Sequence, residues 1–360
     1  MRPILREHVT LLDTRSNTAR FFCSHRRKIF TYEIDKAGRR AIGLANGKRA
    51  TKDILPLLET PQLTLDDVNA FFGKLTEDNL LRNAALDSKI AFEPDYETRL
   101  ERQTIYLSGL APQGQTGRDL QAKLRGSRVL IVGAGGGGSH LAVQLAGIGI
   151  GNLILVDHDR VEIGNLGRQI FYANYVGELK VEALKEIIHS ISPQTDVTIR
   201  PERLTQFAGW LEEFLPKVDL VLNCADQPSM DKTTQWLFDA CYPLRLPLIP
   251  GGGYNGHFTS LPPTLLPGRS TCWPCYGKAT ARNMTPGIGT LNLSQIKSGI
   301  FLPATIAMAA LQMPEIVRVL TGYEPPRFVN CRGDFDLSTC SLELESVPPT
   351  PGCRTCEGTP

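Results

Sequence analysis

The chain has 360 residues, a net charge of only +2 and 42% hydrophobic content. This supplies a full core for two domains, no apolar run reaches the ~20 residues that cross a bilayer, and so small a charge gives no case for bulk nucleic-acid binding. Nine cysteines, an odd number, without a signal-peptide pattern argue against a disulfide framework and for a cytoplasmic protein. In the N-terminal part, Pro3 to Leu12, Ala19 to Cys23 and Lys28 to Ile34 read as short strands. Thr51 to Leu58, Leu65 to Leu75 and Glu77 to Asn83 read as amphipathic helices, with apolar residues three and four apart. Asn46-Gly47 marks a turn, and Thr51 and Thr64 are candidate N-caps. Three strands and then three helices predict a small winged-helix-like α+β domain over residues 1–84. Its first sixty residues hold 13 Lys and Arg against 6 Asp and Glu. The densest run, His25-Arg26-Arg27-Lys28, reads by itself as a solvated hairpin tip. Residues 85–98 read as a linker, and 99–360 as the catalytic domain.

Arg128 to Val132 is apolar after its first residue, as a parallel strand buried on both faces should be. It runs into Gly133, Gly135, Gly136 and Gly138, a G-x-G-x-x-G turn whose backbone N–H groups favour a polyphosphate. A helix follows, with Leu141, Val143, Leu145, Ala146 and Ile148 on its apolar face. Asp157 ends the next strand, Leu153 to Val156, where a carboxylate can accept from ribose hydroxyls. This predicts an α/β fold, Rossmann-like with a mostly parallel sheet, and to this point a dehydrogenase fits equally well. The next segment separates the two. Asn165, Arg168 and Gln169 lie in a polar loop and Lys180 follows; an Arg and Lys pair suits a triphosphate, whose developing charge needs stabilising, better than a nicotinamide. The cofactor expected is therefore ATP. The strand Val218 to Leu222 then delivers Asp226 to the ligand-binding end of a parallel sheet. Asp226 reads as a Mg²⁺ ligand, or else as the N-cap of a helix from Met230 to Cys241.

Cys272-Trp-Pro-Cys275 and Cys353-Arg-Thr-Cys356 are two C-x-x-C pairs flanked by turn residues. Four thiolates make a closed tetrahedral site, so a structural Zn²⁺ is expected; a redox pair is the competing reading. Cys23, Cys224, Cys241, Cys331 and Cys340 remain. The segment from Lys278 through Arg282 and Thr285 to Gly289 contains no cysteine, and Cys331 is the residue to test as a nucleophile. The loop from Tyr276 to Gly299 reads as a cover over the active site.

The segments G-A-G-G-G-G (133–138), L-V-D-H-D (155–159), N-L-G-R-Q (165–169), G-E-L-K-V-E (177–182) and N-C-A-D-Q (223–227) together resemble the ubiquitin-activating-enzyme-like adenylating family of the ThiF, MoeB and MccB type. The resemblance covers about residues 95 to 357. It implies that Asp157 binds the ribose, Arg168 and Lys180 the phosphates, and Asp226 the Mg²⁺, with Asn165 and Gln169 lining the site. R-L-E-R-Q at 99–103 looks like the family's arginine-containing helix, which implies a homodimer in which Arg102 acts in trans. L-A-N-G-K-R-A-T-K-D-I-L (44–55) is similar to the PqqD-like peptide-recognition domains of ribosomal-peptide modifying enzymes, which take a leader peptide as an added strand. The joined halves resemble pantocin-type precursor-processing members of the family. The function implied is adenylation of a precursor-peptide carboxylate, a Glu side chain, followed by dehydration or ring closure. Microcin-type adenylation of a peptide C-terminus, activation of a ubiquitin-like sulfur carrier, and a non-catalytic peptide-binding scaffold are the alternatives.

Overall fold

The computed structural model describes residues 1–13, 17–86, 90–255, 257–282 and 299–356, and the chain forms two compact units, Met1–Ala122 and Lys123–Pro360. In the first unit, β1 (Pro3–Leu5) is followed by β2 (Val9–Asp13), β3 (Thr18–Cys23) and β4 (Lys28–Glu33), the last three forming an antiparallel sheet in the order β2-β3-β4. The stretch expected as one strand from Pro3 to Leu12 is thus two, because the chain turns at Arg6, whose carbonyl accepts from Val9 N at 2.9 Å. Next comes α1 (Lys36–Leu44), a helix whose two glycines hide it from propensity reasoning. Asp35 caps it by accepting from Gly38 N, and Ala37, Ala41 and Ile42 bury its inner face.

α2 (Thr51–Ile54) passes into a 3₁₀ turn, Leu55–Leu58, so the expected element from Thr51 to Leu58 is present as two helical pieces. Its N-cap is Ala50 rather than Thr51, which is the first helical residue. α3 (Leu65–Glu77) is capped by Thr64, with Asp67 closing a capping box. The segment from Glu77 to Asn83 is not the expected helix. Asn79 takes φ +62°, and β5 (Leu81–Asn83) pairs antiparallel with β1. Burial decides this: Leu80 and Leu81 are at most 2% exposed and join Phe21, Ile54, Phe72 and Leu75 in the unit's core. α4 (Pro94–Leu110) opens on Pro94, suited to a first helical turn, and α5 (Gly117–Gly126) spans the division between the units.

The second unit holds β6 (Arg128–Val132), α6 (Gly136–Gly147), β7 (Asn152–Val156), α7 (Lys180–Ile191), β8 (Asp196–Arg200), α8 (Trp210–Phe214), β9 (Leu220–Asn223), α9 (Met230–Cys241) and β10 (Leu248–Pro250). Its five strands are parallel in the order β10-β9-β6-β7-β8. Chain order reverses between β6 and β9, so a crevice opens beyond their carboxyl ends. Val129 to Val132 are at most 1% exposed, confirming a strand covered on both faces. β11 (Gly253–Asn255), β12 (Phe258–Leu261), α10 (Trp273–Arg282), α11 (Leu302–Thr321), β13 (Cys331–Asp336) and β14 (Ser341–Ser346) complete the unit, with an antiparallel sheet ordered β11-β12-β13-β14. Residues 276–282, expected as loop, are therefore helical; 283–298 of that segment lie outside the described residues. Among the described residues no helix is long and apolar enough to cross a membrane.

Candidate active site

β6 ends in a turn that only glycine fits. Gly133 takes φ +96°, and a Cβ there would meet the Cys224 carbonyl at 2.6 Å. At Gly138 a Cβ would lie 1.8 Å from the Gly133 carbonyl oxygen, so α6 starts pressed against the end of β6. The turn is tied to the neighbouring strand by Asp157, whose Oδ2 accepts from Ala134 N at 2.6 Å while Oδ1 accepts from Asp159 N at 2.8 Å. Each of those oxygens keeps a second lone pair for a ligand hydroxyl.

A pocket of about 510 Å³ opens over this end of the sheet. Gly133, Gly135, Gly136, Asp157, Arg168, Gln169, Lys180 and Asp226 all line it. Gly138 and Asn165 do not. Gly138 sits under the turn as a packing residue, and Asn165 is buried. The Asn165 Oδ1 accepts from Glu162 N, and its carbonyl accepts from the backbone N–H of Arg168 and of Gln169, so it shapes the loop that presents both. Arg168 donates from its guanidinium to the Gly164 carbonyl. Gln169 is 7% exposed with its Oε1 buried and without a hydrogen-bond partner among the described residues, an acceptor left open in the pocket wall. Arg102 is exposed on α4, in the first unit.

Lys180 is the first residue of α7 and donates from Nζ to Asp159 Oδ2 at 2.8 Å. Burial works against the Asp159 carboxylate, yet the Lys180 hydrogen bond and charge, with His158 and Arg203 behind them, leave it below the ordinary aspartate range. Asp226 is exposed at the pocket, without a hydrogen bond or ion pair among the described residues. The competing N-cap role is taken by Ser229, which accepts from Lys232 N at 3.3 Å. Asn223, fully buried, fixes the approach to Asp226: its Nδ2 donates to Thr233 and Thr234 and its Oδ1 accepts from Ala225 N. An exposed carboxylate beside a phosphate cradle is the oxygen donor that Mg²⁺ accepts. Asp159, Arg203 and the Gly251–Gly253 backbone also line the pocket and were not anticipated. The acid two residues after Asp157 was the available signal for the first.

Cys224 lines the same pocket, but burial and then the Asp226 charge push its thiol up to about 12, so it is not a ready nucleophile. Cys331 lies at the start of β13, with Sγ donating to the Arg327 carbonyl and the thiol raised by burial and Glu315. It is not among the pocket residues.

The four sulfurs of Cys272, Cys275, Cys353 and Cys356 lie within 4.8 Å of one another. The Cys272 and Cys353 sulfurs are 3.8 Å apart, matching the roughly 3.8 Å edge of a tetrahedron with 2.3 Å Zn–S bonds. Cys272 and Cys275 stand at the start of α10, the position a redox pair would favour, but the second pair completes a four-thiolate set that could hold zinc. Trp273 stacks on Tyr276, its Nε1 donates to the Asp231 carbonyl, and the Tyr242 hydroxyl donates to Thr355, so the knot braces α9.

The ThiF family pattern matches residues 107–355. Molybdopterin-synthase adenylyltransferase of Escherichia coli K12 is 31% identical over 241 residues, covering 66% of this chain and 90% of that relative. Among solved structures, E. coli MccB in complex with AMPCPP and MccA superposes with a TM-score of 0.76 at 21% identity, covering 99% of this chain and 100% of its own. MccB has also been solved with ATP. PaaA superposes at 0.73 with 22% identity, over 94% of this chain and 98% of its own. These likenesses carry the fold over nearly the whole chain, first unit included.

Proposed function

Since this chain belongs to the ThiF family and is an adenylating enzyme, we propose that it uses ATP and Mg²⁺ to activate a carboxylate, a Glu side chain, of a ribosomally made precursor peptide. The observation that carries the reading is the convergence of the glycine turn, Asp157, Arg168, Lys180 and Asp226 on one pocket at the switch point of the sheet.

In the proposed reaction a carboxylate oxygen of the peptide attacks the α-phosphorus of ATP, the bond to the bridging oxygen breaks, and pyrophosphate leaves. A nearby backbone amide of the peptide then attacks the acyl carbon and AMP departs, so that water is lost overall. The N–H groups at the start of α6 receive the phosphates, where the helix dipole adds to their effect. Arg168 and Lys180 offset the charge gathering on the leaving pyrophosphate, and Asp157 holds the ribose hydroxyls. Asp226 would hold Mg²⁺, which when bound neutralises phosphate charge. Asn223 and its threonine partners keep Asp226 at the pocket. Zn²⁺ on the four cysteines is structural.

The peptide substrate is supported by the full-length likeness to MccB, described as a microcin C7 biosynthetic enzyme and solved with MccA. Residues 1–84 would hold the leader as a clamp, 85–98 would join it to the catalytic domain 99–360, and a homodimer would supply Arg102 in trans. A second reading, activation of a protein sulfur carrier, is favoured by the 31% identity to the sulfur carrier protein ThiS adenylyltransferase of Escherichia coli K12. Pyrophosphate release and product mass separate them. Purified protein with ATP, Mg²⁺ and a candidate precursor peptide, sought among short reading frames beside its gene, should release pyrophosphate and leave the peptide lighter by whole waters. Gain of AMP on the peptide would support the microcin-type outcome. Turnover with a sulfur carrier alone would sink the peptide reading.

A further inference from the structure

The acid that follows the ribose aspartate by two residues is joined to both halves of the pocket. Asp159 N donates to Asp157 Oδ1 at 2.8 Å, and Asp157 in turn holds the glycine turn through Ala134 N. On its other side Asp159 holds the start of α7 twice: its carbonyl accepts from Lys180 N at 2.9 Å and its Oδ2 accepts from Lys180 Nζ at 2.8 Å. The surrounding backbone leaves this connection little play, because Val161 N bonds to the Glu178 carbonyl and Gly177 N to the Val161 carbonyl.

Lys180 needs such a partner. It occupies the first position of a helix, where the macrodipole opposes a positive charge, and its side chain is only 8% exposed. A lysine stem is also flexible, so an ammonium left alone there would turn toward water. Arg168, by contrast, is held by a backbone carbonyl and has no carboxylate partner among the described residues.

We infer that Asp159 is a positioning residue, which aims the Lys180 ammonium at the phosphates and couples its placement to the Asp157 and glycine-turn side of the pocket. The inference rests on the adenylating reading for its catalytic consequence, but the pairing itself is testable apart from turnover. Asp159 acts through Lys180 and touches no reacting atom.

Two measurements test it. In ATP–pyrophosphate exchange with the peptide present, Asp159→Asn should lose about 10- to 100-fold in kcat, as misplacement of a catalytic group does. Lys180→Met should lose at least as much, and the double variant no more than Lys180→Met. Asp159→Glu should recover part of the rate. In the protein without nucleotide, an amine-reactive reagent read by mass spectrometry should modify Lys180 more slowly than exposed lysines, and several-fold faster in Asp159→Asn. Unchanged labelling in Asp159→Asn would overturn the inference, as would losses that multiply in the double variant. A wild-type protein without any exchange would sink the adenylating reading, while the labelling would still decide for or against the pair.

Discussion

Replacing Gly138 and Gly135 separately by alanine distinguishes packing from ligand binding within one glycine turn. At Gly138 the new Cβ would stand 1.8 Å from the Gly133 carbonyl oxygen, and contacts under 3.0 Å do not persist, so the start of α6 must move by at least 3.0 − 1.8 = 1.2 Å. It cannot move freely, because Leu141, Ala142, Leu145 and Ala146 on the same helix are at most 1% exposed. Overpacking of this kind costs about 1–3 kcal/mol. For a unit the size of Lys123–Pro360, at roughly 2–4 °C per kcal/mol, the Tm should fall by about 2–12 °C. A shift of that size would also carry the phosphate-binding N–H groups out of place. At Gly135, φ is −76°, outside the left-handed region, and beyond its own helix and chain neighbours the nearest atom to a Cβ is Gln169 Nε2 at 3.9 Å. Gly135→Ala should therefore keep its unfolding free energy within about 1 kcal/mol of wild type. Its methyl would stand among the pocket-lining N–H groups, and losing one charge-assisted hydrogen bond weakens binding by about tenfold or more. Differential scanning calorimetry and titration calorimetry with a non-hydrolysable ATP analogue, on zinc-loaded protein, read both effects. A Gly138→Ala protein that melts and binds as wild type would refute the packing argument; unchanged ATP affinity in Gly135→Ala would refute the placement of the triphosphate.

Asp226→Ala should abolish pyrophosphate release while unfolding within about 0.5 kcal/mol of wild type, since Ser229 rather than Asp226 caps α9; substantial turnover would remove the metal role. Arg102→Ala and Arg168→Ala should each be inactive yet regain partial activity when their subunits are mixed, and no rescue despite verified exchange would count against catalysis in trans. Stripping the four-cysteine site with a chelator should release one zinc per chain, measured by atomic emission, and lower the Tm; a protein without zinc that melts unchanged would rule out the structural role. Acid should weaken the first unit. Burial first, then His25, Arg6 and Arg26 against the opposing Glu7, hold His8 down to about 4, below its ordinary 6.5. Between those values the unfolded chain binds the extra proton, so stability falls as pH drops from about 6.5 toward about 4. His8→Phe should flatten that slope in urea unfolding followed at several pH values, and an unchanged slope would assign it elsewhere.

Where a pattern is local, the amino-acid order alone determined the outcome. The run from Arg128 to Val132 into the glycine turn, the helix from Met230 to Cys241 and the Thr64 cap follow from residues that are neighbours in the chain, and so does the Cys spacing that the four sulfurs bear out. Eight of the pocket residues could be named because glycines and acids follow recognisable strands and because Arg168, Gln169 and Lys180 stand in a short polar segment soon after one of them. The remainder depended on partners distant in sequence. Leu81–Asn83 is a strand because Pro3–Leu5 lies beside it, a pairing that local helical spacing cannot express. Asp226 is free for a ligand because Ser229 takes the cap, and Gly138 is a packing residue because the Gly133 carbonyl stands where its side chain would be. Asp159 acquires its place only when folding brings Lys180 against it, since a side chain's charge is written in the sequence but the distance to its counter-charge is set by the packed backbone.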